Sequence, residues 1–120
     1  MKSTTTVKKN YEFRRMYAKG KSGVSSCLVV YYRKNRLGHN RLGVTVSTKL
    51  GHAVVRNKLR RRLRAIYRIH ESEFKPGFDI VVVCRAASVE ASYRRLERDF
   101  LKLARRSGLL RERTEEGVDT

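Results

Sequence analysis

The stretch "AVVRNKLRRRLRAIYR", residues 53–68, holds seven Lys or Arg and no acidic residue. Guanidinium groups at that density suit one kind of chemistry, because their planar forks grip phosphate oxygens in pairs. At helical spacing Val55, Leu59, Leu63, Ile66 and His70 fall within about 40° of one line, the expected core stripe. Asn57, Arg61, Arg64 and Arg68 point the opposite way, with Lys58 and Arg60 on the flanks. Solvated helix faces usually interleave Glu with Lys, since like charges four residues apart cost a few tenths of a kcal/mol, ~0.3, per pair. Here Arg56, Arg60, Arg64 and Arg68 stack like charge on like charge. The face is therefore expected to meet an external polyanion. Residues 53–57 also open the helix, where free N–H groups and the positive dipole end attract phosphate or a hydrated metal ion.

The charge imbalance extends well beyond this helix. From Phe13 to His70 there are 16 Lys or Arg and no Asp or Glu, while four of the 11 acids sit in the last nine residues. The net charge is +18. Such a field opposes compaction and is tolerated for a polyanionic partner, nucleic acid first and an anionic membrane surface second. The basic half has no carboxylate to hold a metal or act as a base, and no Ser–His–Asp grouping or Gly-rich phosphate loop occurs. His39, His52 and His70 are scattered and form no zinc-like spacing with Cys27 and Cys84. Catalytic groups and metal ligands are thus expected on no residue of this chain. No apolar run reaches the roughly 20 residues of a membrane span, and "MKSTTTVKKNYEF" lacks a signal peptide's apolar core. Two Cys in apolar runs read as reduced, buried thiols of a cytoplasmic protein.

A single domain is expected at this length. Residues 1–9 read as a flexible basic arm, 10–108 as the folded domain and 109–120 as a flexible tail. Asn10 is placed to cap a first helix carrying Phe13, Met16 and Tyr17 on one face, with Gly20 closing it. "KSGVSS" (21–26) is a turn or short strand, and "CLVVYY" (27–32) a β-branched, aromatic strand. A basic hairpin loop (33–41) leads to a strand at 42–48, and the basic helix runs from about Val54 to Glu73. "FKPGFD" turns the chain into "DIVVVCR" (79–85), a near-continuous apolar run typical of a buried strand. A last helix, Ser92 to Arg106, has Tyr93, Leu96, Phe100 and Leu103 on one side, Ser92 as N-cap and Gly108 as stop. The order predicts one layered α+β or α/β sandwich.

The run "VSTKLGHAVVRNKLRRRLR" resembles the signature of the bacterial ribonuclease P protein component: a strand ending in Ser-x-Lys, then Gly-x-Ala-V-x-R-N-x-[IL]-[KR]-R. "KKNYEFRRMYAKG" is similar to that family's first helix and "FDIVVVCR" to its last strand, so the resemblance covers about residues 7 to 108. Where the family has Arg-Asn-Arg, this chain has Arg56-Asn57-Lys58, which keeps the charge but loses the fork.

The resemblance implies an α+β sandwich of αβββαβα order, with a mixed four-stranded sheet and a left-handed crossover around the basic helix. It implies a protein subunit that binds a catalytic RNA and the 5′ leader of precursor tRNA, promoting Mg²⁺-dependent removal of the leader. The catalytic groups and the Mg²⁺ would lie mainly on the RNA, and no obligate protein partner or membrane is implied. The RNA subunit would meet Arg56, Asn57, Lys58, Arg60, Arg61, Arg64 and Arg68. The leader would lie in a cleft between the first helix and the sheet. Phe13 and Tyr17, one turn apart, and Tyr31, which shares a strand face with Val29, suit it, since aromatic platforms beside positive charge hold single-stranded RNA. Lys49, with Arg56, would neutralise phosphates at the edge. The plainer alternative is that Phe13 and Tyr17 are core residues.

Composition alone equally fits a ribosomal-type structural RNA-binding protein, which only the 42–64 motif argues against. A DNA-binding helix fits less well, lacking an Asn/Gln base-reading face and a dimer seam. An autonomous nuclease fails for want of carboxylates.

Overall fold

The computed structural model describes residues 4–111. Its centre is β5, Phe78–Cys84, whose run of branched apolar residues has no polar face to offer water. It pairs antiparallel with β3 (Leu28–Lys34) and parallel with β4 (Arg41–Thr45). β2 (Lys21–Val24) and the two-residue β1 (Thr5–Thr6) complete a five-stranded mixed sheet of order β1-β4-β5-β3-β2. Three helices flank it: α1 (Asn10–Lys19), α2 (Ala53–His70) and α3 (Tyr93–Arg106).

The single-domain α+β reading holds, with differences that have physical causes. The segment 33–41 is not a hairpin loop, because β5 inserts between β3 and β4. The most apolar strand takes the most enclosed position, and α2 becomes the crossover joining two parallel strands. The sheet has five strands rather than four, since Thr5 and Thr6, expected within a flexible arm, pair with Arg41 and Leu42. Val7 behind them is 3 % exposed, which supplies the apolar anchor. Leu109, expected in a flexible tail, is fully buried, and Leu110 bridges to Phe74. Residues 1–3 and 112–120 lie outside the described residues.

The two sheet faces are covered unequally. Leu28, Val30, Leu42, Val44, Ile80, Val82 and Cys84 alternate onto one face, where Leu59, Leu63, Ile66 and Tyr67 of α2 and Leu96, Phe100 and Leu103 of α3 close the main core. Tyr67 was absent from the sequence-derived stripe, yet it is fully buried while Val55 and His70 are only half-buried. Its hydroxyl explains the burial: it accepts from Asn40 Nδ2 at 3.2 Å and is hydrogen-bonded to Thr4 Oγ1 at 2.8 Å. Cys27 and Cys84 are free and buried, and burial pushes the Cys84 thiol up to about 11.

Local signals fix the helix ends. Ser92 Oγ accepts from Arg95 N at 3.0 Å, and Gly108 takes the left-handed conformation at φ 77°, as expected. For α1 the cap is Lys9 rather than Asn10, and Glu12 Oε1 reaches back to accept the Lys9 N–H at 3.2 Å. Gly20 ends that helix by close approach, since a β-carbon there would lie 2.7 Å from the Met16 carbonyl oxygen.

Candidate nucleic-acid interface

α2 presents the first surface. Asn57, Lys58, Arg61, Arg64 and Arg68 are exposed, and no ion pair neutralises them among the described residues. Arg56 and Arg60 differ from these, because they lie on the Tyr67 side of the helix and are half-buried. Arg56 Nε donates to the Gly51 carbonyl at 3.2 Å, tying the first turn of α2 to the loop before it. Arg60 donates to Asn57 Oδ1 at 3.0 Å. Lys58 is exposed beside them, so its ammonium is a point charge available to one phosphate at a time.

The second surface is the opposite face of the sheet, which α1 covers incompletely. Register places Val24, Val29, Val83 and Thr45 in one row across β2, β3, β5 and β4, and Ser22, Tyr31, Val81 and Gly43 in the next. α1 lies over the second row. Phe13 is half-buried against Gly43, so close that a β-carbon on Gly43 would come within 2.8 Å of its ring. Gly43 is thus required by proximity, and Met16 is the only fully buried residue of α1. Tyr17 is 39 % exposed. Its ring meets Tyr31 edge-on at 5.0 Å between centroids, and its hydroxyl is hydrogen-bonded to that of Thr45 at 2.9 Å. The first row stays open beside this pair, with Val29, Val83 and Thr45 half-buried and Val24 half-exposed. The result is a groove with an apolar floor and an aromatic wall.

The two surfaces meet at one end of the sheet. After Thr45 the chain makes a 3-10 turn, Thr48–Leu50, capped by Ser47 Oγ accepting from Lys49 N at 3.1 Å. Lys49 is exposed on that turn, and Gly51 leads from it into α2. Phe13, Tyr17, Val29 and Tyr31 therefore share one groove, with Lys49 following at its end. Asn57, Lys58, Arg61, Arg64 and Arg68 form a separate outward face, and Arg56 and Arg60 flank it.

An ionic clamp holds α1 in place, and sequence reasoning missed it. Arg41 donates to both Asp79 oxygens, at 2.9 and 2.7 Å, and to Glu12 Oε2 at 2.6 Å. The Arg41 guanidinium holds the Glu12 carboxyl below its usual range. Burial works against the charged Asp79, but hydrogen bonds from Arg41 and Asn35 outweigh it and keep this carboxyl low as well. Val24, Val83 and Thr45 were also missed as groove residues. Strand alternation from Tyr31 could have found Val83 once β5 was known to lie beside β3. Among the described residues no three His, Cys, Asp or Glu side chains are grouped so that they could hold a metal ion, and Glu12 and Asp79 are committed to Arg41. The donors among the described residues do not fit a Mg²⁺ ion.

A family model described as Ribonuclease P matches residues 1–108. The ribonuclease P protein component of Thermoanaerobacter sp. (strain X514) is 44 % identical over 103 residues, covering 86 % of this chain and 89 % of the relative. Among solved structures, the Staphylococcus aureus RNase P protein superposes with a TM-score of 0.82 at 33 % identity, over 88 % of this chain and 97 % of that one. The Thermotoga maritima RNase P protein gives 0.77 at 32 % identity, over 83 % and 96 %. Matched nearly from end to end in sequence and in fold, the chain belongs to the ribonuclease P protein family, whose members are the protein subunit of the ribonucleoprotein that processes tRNA precursors.

Proposed function

We propose that this subunit divides its RNA contacts between its two surfaces. The outward face of α2, with Arg56, Asn57, Lys58, Arg60, Arg61, Arg64 and Arg68, docks on the catalytic RNA. The groove of Phe13, Tyr17, Val29 and Tyr31, with Lys49 at its end, holds the single-stranded 5′ leader of precursor tRNA. The observation that carries this reading is the pairing of Tyr17 with Tyr31 over an open apolar row. A core aromatic pair would be covered, and a purely electrostatic surface would have no exposed rings. Unpaired bases stack on such rings at about 1–3 kcal/mol each, whereas the bases of a folded tRNA body are already stacked on one another.

Mg²⁺ belongs mainly to the RNA in this reading, and bond cleavage with it. The protein's contribution is to supply cations where two polyanions approach and to hold the leader in line, in the cytoplasm where precursor tRNA is made. No helix among the described residues is long and apolar enough to cross a membrane. Reconstitution tests the proposal. With a bacterial ribonuclease P RNA, the protein should restore leader removal at Mg²⁺ concentrations too low for the RNA alone. Cleavage by the protein without RNA, or no change on adding it, contradicts the reading.

A further inference from the structure

A second helix also stacks charge on one side. In α3, Arg94, Arg98, Lys102 and Arg105 fall within about 80° of arc at helical spacing, with Arg106 beside them, and each is exposed. The stripe runs about 16 Å along the axis, at about 1.5 Å per residue. None of these cations enters an ion pair among the described residues. The carboxylates of α3 are engaged elsewhere. Glu97 Oε2 lies 2.7 Å from His70 Nε2. Asp99 is buried, accepts from Ser25 Oγ at 3.1 Å and lies 3.5 Å from Arg95 Nε. Along the stripe, Arg94 with Arg98, Arg98 with Lys102 and Lys102 with Arg106 set like charges four residues apart, where they repel. Arg94 also stands in the first helical turn, which holds no acid and whose positive dipole end disfavours a cation. Arg105 and Arg106 suit the opposite end of the dipole. Arg94, Arg98 and Lys102 have no such compensation within the fold.

We infer that the outer face of α3 is a further docking surface for the catalytic RNA, taking backbone phosphates alongside the α2 face. Arg dominates the stripe, and its planar fork holds phosphate oxygens in pairs. α2 and α3 close the same core on the same face of the sheet, and the contact of His70 with Glu97 joins them. RNA resting on the outward side of α2 therefore meets α3 next, whereas the aromatic groove lies across the sheet. That placement favours the RNA subunit over the leader. A lipid surface fits less well, because an interfacial helix inserts an apolar side, and Leu96, Phe100 and Leu103 are already buried in the core. No aromatic ring lies in the stripe, so the contact is to phosphates and carries no base preference. This inference rests on the docking of α2 on the same RNA.

Arg98→Gln/Lys102→Gln removes two charges from the middle of the stripe, and Lys19→Gln/Lys21→Gln removes two exposed charges from the junction of α1 and β2. Both variants, with Arg61→Ala/Arg64→Ala/Arg68→Ala as reference, are titrated against a bacterial ribonuclease P RNA across a salt series. The stripe variant should lower the log–log salt slope by about 1.5, two phosphate contacts, and weaken binding about tenfold. The junction variant should fall well short of that. Once assembled at saturating protein, the stripe holoenzyme should bind mature and precursor tRNA as the wild type does. Equal effects of the stripe and junction variants overturn the surface, since net charge alone would then explain both. A loss seen only toward tRNA, or only toward vesicles of phosphatidylserine in phosphatidylcholine, overturns it as well. If the α2 variant loses RNA binding and the stripe variant does not, this inference fails alone; if neither loses binding, the reading of α2 fails with it. Thermal unfolding checks the fold, and the midpoint of the stripe variant should hold or rise as repulsion is relieved. Should it fall, Arg94→Gln/Arg98→Gln repeats the titration, because losing a first-turn cation favours the helix.

Discussion

On the face of the sheet covered by α2 and α3, Leu28, Val30, Ile80 and Val82 are at most 1 % exposed. One residue along the same strands, Val29, Tyr31 and Val83 stay half-buried beneath a single ten-residue helix. One face has a continuous apolar core including Tyr67, Phe74 and Phe100. The other is closed by Met16, the Phe13 ring on Gly43, one hydroxyl pair and the Arg41 clamp. The difference teaches that a strand's two-residue period can divide labour within a small domain. Alternate residues of the same strands stabilise the fold and line a ligand groove, and mutations on the two faces should have separable consequences.

The largest expected effect is on assembly. Arg61→Ala/Arg64→Ala/Arg68→Ala should weaken binding to the RNA subunit on the order of a thousandfold at moderate salt and flatten the salt slope by about 2–3. The fold should keep or gain stability, since like-charge repulsion is relieved. Arg60 is better left out, because its bond to Asn57 gives it a local role. On the closed face, Leu63→Ala should cost about 2–5 kcal/mol in denaturant unfolding, through the cavity it leaves. If the triple variant unfolds while Leu63→Ala does not, the two sides of α2 have been interchanged.

The clamp sharpens the contrast on the open face. Arg41→Met should cost about 1–2 kcal/mol, less than a fully buried pair because its partners keep some solvent. Leader binding should suffer more than assembly with the RNA, because α1 forms the groove wall. The Glu12 and Asp79 carboxyls are lower in the folded state than in the unfolded chain. Their contribution is complete above the ordinary carboxylate values and is lost as pH falls through the depressed ones. Acid titration of stability should therefore flatten in Arg41→Met.

The smallest effect belongs to His70, which joins α2 to α3. Its Nδ1 and Nε2 each lie 2.7 Å from a carboxylate oxygen, of Glu73 and Glu97. Burial opposes the imidazolium, but the two carboxylates prevail and raise its pKa. Its stabilisation is complete below the ordinary His value and is lost as pH rises through the raised one. Between about pH 6 and pH 9 the wild type should lose under about 1 kcal/mol that His70→Gln does not. Identical pH profiles would remove the charged bridge.

Much of this was legible in the sequence because it is local. The α2 periodicity, the Ser92 cap, the Gly108 stop and the apolar run of β5 each depend on residues within a turn or two. What was not legible depends on distant pairing. Placing β5 between β3 and β4 requires knowing how the crossover returns, and only then does Val83 fall beside Val29. Thr5 and Thr6 look like any polar arm until an edge of β4 is free to pair. The Arg41 clamp links residues 29 and 38 positions apart, which no spacing rule reaches. In the site, alternation alone put Tyr31 with Val29, whereas the contact of Tyr17 with Tyr31 and Thr45 required the docking of α1.

The division between the two faces is tested most directly at Tyr31. Tyr31→Ala holoenzyme, reconstituted with a bacterial ribonuclease P RNA, is titrated with precursor and with mature tRNA from the same gene. Precursor binding should weaken by about 1–3 kcal/mol, the worth of one base–aromatic stack. Mature tRNA, which has no leader, should bind as it does to the wild type, and the unfolding midpoint of the protein should move little. Equal losses for both ligands would contradict a leader contact and make Tyr31 a residue of the core.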